Sequence, residues 1–148
     1  MNGGDGFEAG VLSLRPYSAG DEKSVIDLWD RCNLLRPWND PVKDIWRKQQ
    51  FNPEWFIVAI LKQELAGTIM VGYEGHRGWV NYLAVDPSLR RQGIGRSLMK
   101  RAEELLATVG CPKVNLQVRF GNEAAAEFYL SLGYAKDEVI SFGKRLDA

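Results

Sequence analysis

The stretch that decides the fold runs from Trp79 to Leu98: Trp79-Val80-Asn81-Tyr82-Leu83-Ala84-Val85-Asp86-Pro87-Ser88-Leu89-Arg90-Arg91-Gln92-Gly93-Ile94-Gly95-Arg96-Ser97-Leu98. It reads as a buried strand over 79–85, stopped by Asp86-Pro87, then a basic loop, two glycines and the start of a helix. The helix is expected from Gly93 to Val109, because Leu98, Met99, Ala102, Leu105 and Leu106 form one apolar stripe. Gly110 marks its end. The first turn of a helix offers backbone N–H groups with no intrahelical partner, and the helix dipole makes that end attractive to an anion. Glycines let the main chain close on such an anion without Cβ collisions. Five basic residues and no acid lie between Arg90 and Arg101. That is a local field suited to phosphate, which arginine can grip bidentately. A nucleotide-binding P-loop would need a lysine where Gly95-Arg96-Ser97 stands, and a dinucleotide turn would need a third glycine where Leu98 stands. The plain alternative is a surface helix with solvated arginines.

Working outward, Val11 to Arg15 reads as a first strand, stopped by Pro16. Ser18 with Asp21 has the spacing of a capping box and opens a helix whose sticky face is Val25, Ile26, Leu28, Trp29 and Cys32. Pro37 and Pro41 break the chain after it, and Asp40-Pro41 is an N-cap and first-turn pair for a second helix over Val42–Gln50. Trp55–Leu61 is a buried strand, Gln63-Glu64 a turn, and Leu65–Tyr73 its returning partner. Glu74 to Gly78 is a polar loop. Downstream, Lys113–Arg119 alternates as a fifth strand, Asn122–Leu132 is a fourth helix stopped by Gly133, and Tyr134–Arg145 holds one or two short strands. The order β-α-α-β-β-β-α-β-α-β predicts an α/β (α+β) chain. Its mixed, mostly antiparallel central sheet has six to seven strands, flanked by four helices.

Composition sets the outer bounds. At 148 residues the chain is expected to form one domain over 11–148, after a flexible tail at 1–10 that carries four glycines. Its formal net charge is +0 and its pI about 6.6, which argues against a nucleic-acid partner held by bulk positive charge. Hydrophobic residues make up 45%, which excludes disorder of the whole chain. The longest apolar run, Trp55–Leu61, is far short of the about 20 residues a membrane span needs. The first ten residues lack the basic and apolar regions of a signal peptide. With only Cys32 and Cys111 as thiols and one histidine, the expectation is a reduced, cytoplasmic protein without a metal site.

Leu83-Ala84-Val85-Asp86-Pro87 followed by Arg90-Arg91-Gln92-Gly93-Ile94-Gly95 resembles the acyl-CoA loop of the GCN5-related N-acetyltransferases, whose pattern is Gln/Arg-x-x-Gly-x-Gly/Ala. Asn122, Ala125-Ala126, Phe128-Tyr129 and Leu132-Gly133-Tyr134 resemble a second feature of that family, in the expected order. The likeness covers residues 11 to 146. The Arg36–Pro41 and Tyr73–Gly78 stretches look most like the bacterial YpeA-type subgroup.

The resemblance implies an enzyme that moves an acetyl group from acetyl-CoA to a primary amine of a small molecule or a protein, by direct attack of the neutral amine. It implies that backbone groups at Leu83, Ala84 and Val85 pair with the pantetheine arm. The pyrophosphate would rest on the loop Arg90, Arg91, Gln92, Gly93, Ile94, Gly95 and Arg96. Asn122 would lie near the pantetheine, and Tyr129 would assist the leaving thiolate. Glu74, in the polar loop, is the candidate base, with a solvated turn carboxylate as its alternative. His76 and Tyr82 are candidates for substrate contact. So are Arg36, Trp38 and Asp40 in the proline-bounded loop, which would form a lid or, equally, a rigid turn capping the second helix. No metal is implied, and the oligomer would be a monomer or a homodimer. The competing class is a non-catalytic acyl-CoA-binding regulatory module, which turnover distinguishes from an enzyme. A nucleotide or RNA binder using the arginine loop stands third.

Overall fold

A computed structural model describes residues 11–147; the expected tail at 1–10 lies outside the described residues. The chain divides into two compact units, Met1–Gln117 and Val118–Ala148.

In the first unit, β1 (Leu12–Pro16) leads through a 3-10 turn, Ala19–Asp21, into α1 (Glu22–Arg31). Ser18 and Asp21 form the expected capping box, with the Ser18 N–H donating to the Asp21 carboxylate at 2.9 Å. The next helix, α2 (Pro41–Gln49), opens on Asp40, whose side chain accepts from the Val42 and Lys43 N–H groups. Both helix starts follow the local chemistry: a short polar side chain satisfies donors that the helix itself cannot. Then come β2 (Phe56–Leu61), β3 (Glu64–Tyr73), β4 (Gly78–Val85), α3 (Ile94–Thr108) and β5 (Val114–Asn115). The β2–β3 hairpin turns on Lys62 and Gln63, both left-handed, one residue earlier than expected.

The sheet order is β1-β2-β3-β4-β5. The first three pairings are antiparallel and the last is parallel, the mixed, mostly antiparallel arrangement expected. The strand count is smaller than expected: five among the described residues, not six to seven. Tyr134–Arg145 contains no strand, so the final β of the expected order is absent. A strand persists only where a neighbour takes its backbone groups, and adjacent rather than alternating Val139 and Ile140 supply no clean face. β5 is also shorter than Lys113–Arg119, because its ladder with β4 contains only Gly78↔Val114 and Trp79↔Asn115.

Both faces of the sheet are covered, which explains why β2 reads as a continuous apolar run. On one face Phe56, Val58 and Met70 pack with Val25, Leu28 and Trp29 of α1 and Ile45 of α2. On the other, α3 contributes Leu98, Met99, Ala102 and Leu106, all buried. The close seating of α3 depends on Gly67. A Cβ there would stand 2.8 Å from the Ala84 carbonyl oxygen and 3.0 Å from Leu98 Cδ1.

The second unit holds α4 (Glu123–Ser131) with segments of chain before and after it. Asn122 caps α4 by accepting from the Ala125 N–H at 3.2 Å. Gly133, at φ +94°, follows the helix end. The four expected helices are therefore all present.

Candidate functional site

Two features of the first unit adjoin each other along the chain: an interrupted strand and an amide-rich helix start. The register of β3 with β4 shifts between Thr68/Ala84 and Met70/Asn81, so Tyr82 and Leu83 together oppose Ile69. This is a β-bulge. Tyr82 sits in it with φ +53°, a left-handed backbone in the middle of a strand. The Asp86 N–H donates to the Ala66 carbonyl at 2.8 Å. Main-chain groups alternate between the two edges of a strand, so Ala84 also faces β3 while Leu83 and Val85 face the other edge. On that edge the ladder to β5 stops at Trp79. β4 thus keeps main-chain groups beyond Trp79 that β5 does not pair, at the residues where the arm of an acyl carrier was expected.

The loop after β4 has the donor chemistry of an anion cradle. Asp86 accepts from the Ser88 N–H at 2.9 Å and Ser88 Oγ at 2.8 Å, which shapes the 3-10 turn Pro87–Leu89. Arg31 at the end of α1 holds the same carboxylate at 2.8 Å. Hydrogen bonding to Arg31, followed by that from Ser88, keeps the Asp86 carboxyl below the usual carboxylate range. Arg91 (φ +67°) and Gly93 (φ +83°) then turn the chain into α3. The Ser97 N–H closes on the Gly93 carbonyl at 2.9 Å, so the amides of Ile94, Gly95 and Arg96 precede the intrahelical ladder. A Cβ on Gly93 would meet nothing within 4 Å, so the space over this helix start is open. Ile94 is 2% exposed, so only its main chain can serve a ligand there. Arg90, Arg91, Gln92 and Arg96 are all exposed, and Arg90 lies against the Cys32 thiol. Burial raises the Cys32 pKa, and its Sγ donates to the Val85 carbonyl at 3.3 Å. Three amides at a helix start beside exposed guanidiniums fit a pyrophosphate by their donor chemistry.

The remaining candidates fall in different places. Glu74 is exposed and its carboxylate accepts from the N–H groups of His76 and Arg77. Those bonds hold its pKa below the usual range, which makes it a turn cap and a weak base. His76 is exposed beside Arg77. Asp40 is the N-cap of α2, the rigid-turn alternative for that residue, and Arg36 donates to the Leu35 carbonyl at 3.2 Å. Trp38 is 52% exposed. Tyr82 donates its hydroxyl to Asp44 at 2.7 Å, which leaves that group only an acceptor role toward a substrate. A depression of about 350 Å³ involves Lys48, Phe51, Tyr73, Glu74 and Trp79. Lys48 Nζ donates there to the Val71 carbonyl at 2.6 Å, past the end of β2.

In the second unit, Tyr129 meets Phe128 and Tyr134 edge-on, at centroid distances of 5.1 and 6.0 Å. Burial pushes its phenol up to about 12. Asn122 uses its side-chain oxygen as the cap of α4, which leaves its amide N–H₂ as the donor end.

Sequence reasoning passed over Thr68 and Asp44. Among the described residues Thr68 is the one buried polar residue, at 0% exposure. Its signal was a lone hydroxyl in an apolar strand. Asp44 had none beyond helical spacing.

A mixed, mostly antiparallel sheet with helices on both faces and a helix start directly after the fourth strand defines the class of fold. The sequence profile of the Acetyltransferase (GNAT) family matches residues 23–134, and the chain belongs to that family. It is 47% identical over 136 residues to Acetyltransferase SG1711 of Sodalis glossinidius, covering 91% of this chain and 96% of that protein. Among solved structures it resembles Ard1 from Thermoplasma volcanium, with 25% identity, a TM-score of 0.73, and 84% and 82% of the two chains covered. The NatC complex bound to Gag peptide and CoA contains a chain of the same fold, with 20% identity, a TM-score of 0.71 and 86% of each chain covered. Among the described residues no helix is long and apolar enough to cross a membrane.

Proposed function

We propose that this protein is an acetyl-CoA-dependent N-acetyltransferase acting on a primary amine. The observation that carries the reading is the continuity of β4 and α3. An open strand edge at Leu83 and the Val85 N–H, the Val85 carbonyl being taken by Cys32, runs directly into a helix start with three unladdered amides at Ile94, Gly95 and Arg96. An amide-bearing arm that ends in pyrophosphate matches both halves of that surface. The strand edge takes peptide-like groups as it would another strand, and the helix start takes the phosphates.

In this reading acetyl-CoA supplies the activated acetyl group, and the residues of the chain hold and orient it. Tyr129 donates a hydrogen bond to the departing sulfur. With its pKa raised to about 12, its phenol keeps its proton throughout the physiological range, as a donor must. Full transfer to a thiolate, whose ordinary pKa is about 8.5, is uphill, so Tyr129 acts as a hydrogen-bond donor more than as a proton source. Glu74 is left outside the proton path, since its carboxylate caps its own loop. Arg36 and Trp38 form part of the acceptor side.

The test is calorimetric titration with acetyl-CoA at moderate salt, with Gly93→Glu as control, followed by a thiol-release assay over a panel of primary amines. Saturable binding lost in the variant supports the cradle, and amine-dependent thiol release supports the enzyme. Binding without release for any amine would point to the non-catalytic acyl-CoA-binding module. Absence of binding by the folded protein would end the reading.

A further inference from the structure

The conformation of Tyr82 is the clearest departure from ordinary backbone geometry in the sheet. An aromatic residue at φ +53° inside a strand persists only when its surroundings over-determine it. Here three elements hold it. From β3, Thr68 Oγ1 donates to the Tyr82 carbonyl at 2.9 Å. From α1, the Trp29 indole stacks on the Tyr82 ring at 3.7 Å with planes 13° apart. The same indole donates its Nε1–H to Thr68 Oγ1 at 2.9 Å, so the hydroxyl is oriented with its proton toward Tyr82. From α2, Asp44 Oδ2 accepts the Tyr82 hydroxyl at 2.7 Å, while Asp44 Oδ1 is held by Arg47 at 2.9 Å. Trp29 and Thr68 are both at 0% exposure. Every polar group in the relay is used, which is the condition under which a buried network fixes one conformation.

The bulge sets the direction of the next main-chain groups in β4. The Tyr82 carbonyl points at Thr68 of β3, and across a trans peptide the Leu83 N–H points the opposite way, toward the edge of β4 that β5 leaves open. We propose that Thr68, Trp29 and Asp44 are positioning residues for acyl transfer: they clamp the Tyr82–Leu83 bulge and so aim the Leu83 N–H at the carbonyl oxygen of the bound thioester. The inference rests on the acetyl-CoA reading above. It gives Tyr82 a different role from substrate contact, because its ring and hydroxyl are the handles of the clamp. It also links α2, and through Asp40 the Arg36–Pro41 loop, to the strand that presents the donor.

The discriminating probe pair is acetyl-CoA and S-ethyl-CoA, a thioether of similar size that lacks the carbonyl. A well-aimed N–H gives the wild type an affinity for acetyl-CoA about three- to tenfold greater than for S-ethyl-CoA, the range expected for one hydrogen bond. Thr68→Val is expected to bring that ratio close to one while the Kd for S-ethyl-CoA changes by less than about twofold. Thr68→Ser, which keeps the hydroxyl, restores the ratio. A merely structural role would lower both affinities together or shift only the melting temperature. Should Thr68→Val not fold, Tyr82→Phe and Asp44→Asn read the same ratio, with Tyr82→Phe keeping the stacked ring. Folded variants that retain the wild-type ratio overturn the clamp, as does a wild type that binds both compounds equally. A wild type that binds neither has failed the acetyl-CoA reading itself, which is a different result.

Discussion

Arg31, in the last turn of α1, lies 2.8 Å from the carboxylate of Asp86, the residue at which β4 gives way to the basic loop. The pair fastens the helix that carries Trp29 to the turn that leads into the anion cradle. Arg15 and Asp21 make a similar bond of 2.8 Å beside the capping box. Both aspartates are held below their ordinary pKa range, chiefly by the guanidinium each one accepts from.

These two pairs contribute to the dependence of stability on acid pH. A carboxyl whose folded pKa is depressed contributes stability above its unfolded value, about 3.9, and loses it as pH falls through the folded value. The melting temperature is therefore expected to be flat from pH 7 to about 5 and to fall below about pH 4. Asp86→Asn should flatten that fall, at a cost near neutrality of about 0.2–1 kcal/mol, since Arg31 is partly exposed. A thermal melt series from pH 7 to 3 on both proteins checks it. Superimposable pH profiles would show that the pair contributes nothing.

Gly67 sets how closely α3 approaches the sheet. Replacement by valine forces atoms against the main-chain carbonyl of Ala84 and the buried side chain of Leu98. Gly67→Val is expected to destabilise by about 1–3 kcal/mol, the usual range for overpacking. Denaturant unfolding measures this. An unchanged midpoint would mean that α3 can shift outward without loss.

The cradle predicts a split between phosphate and arm. Arg91→Ala and Arg96→Ala should each weaken acetyl-CoA binding by about three- to thirtyfold, the range for losing a charge-assisted hydrogen bond or two. The losses should shrink as salt rises. Binding of acetylpantetheine, which has the arm but no pyrophosphate, should be unaffected. Equal losses for both compounds would place these arginines elsewhere.

Tyr129 offers a kinetic test. Tyr129→Phe keeps the ring contacts with Phe128 and Tyr134 and removes only the hydroxyl. With an acceptor amine that sustains turnover, kcat is expected to drop about 10²-fold or more, the scale of positioned acid catalysis. The affinity for acetyl-CoA should stay the same. Because the phenol is raised to about 12, a loss of activity between pH 8 and 10 should appear equally in both proteins. A Tyr129→Phe enzyme with full kcat would remove this residue from the chemistry.

Trp38, at 52% exposure in the loop before α2, tests the acceptor side. Trp38→Ala is expected to raise the KM for the amine several-fold and leave acetyl-CoA binding intact. If turnover and apparent affinity for the amine are both untouched, the loop is a cap for α2 and nothing more.

What the sequence determined by itself is local. Asp40 before Pro41, Ser18 before Asp21 and Gly93 before a basic helix each act over three or four residues, so their roles follow from nearest-neighbour backbone chemistry. Apolar patterning together with cap, proline and glycine signals likewise placed β1 to β4 and the four helices. The tertiary structure decided whatever depends on a partner far along the chain. The left-handed Tyr82 has no glycine or asparagine to announce it, and Thr68, 14 positions away, and Asp44, 38 away, hold it. β5 shrank to two residues because its ladder with β4 runs no further than Trp79. The expected strands after Tyr134 did not form for a similar reason: an apolar segment becomes a strand only when another backbone completes its hydrogen bonds. Glu74 reads in sequence either as a base or as a turn carboxylate, and only the structure shows that two N–H groups in its own loop bond to its carboxylate.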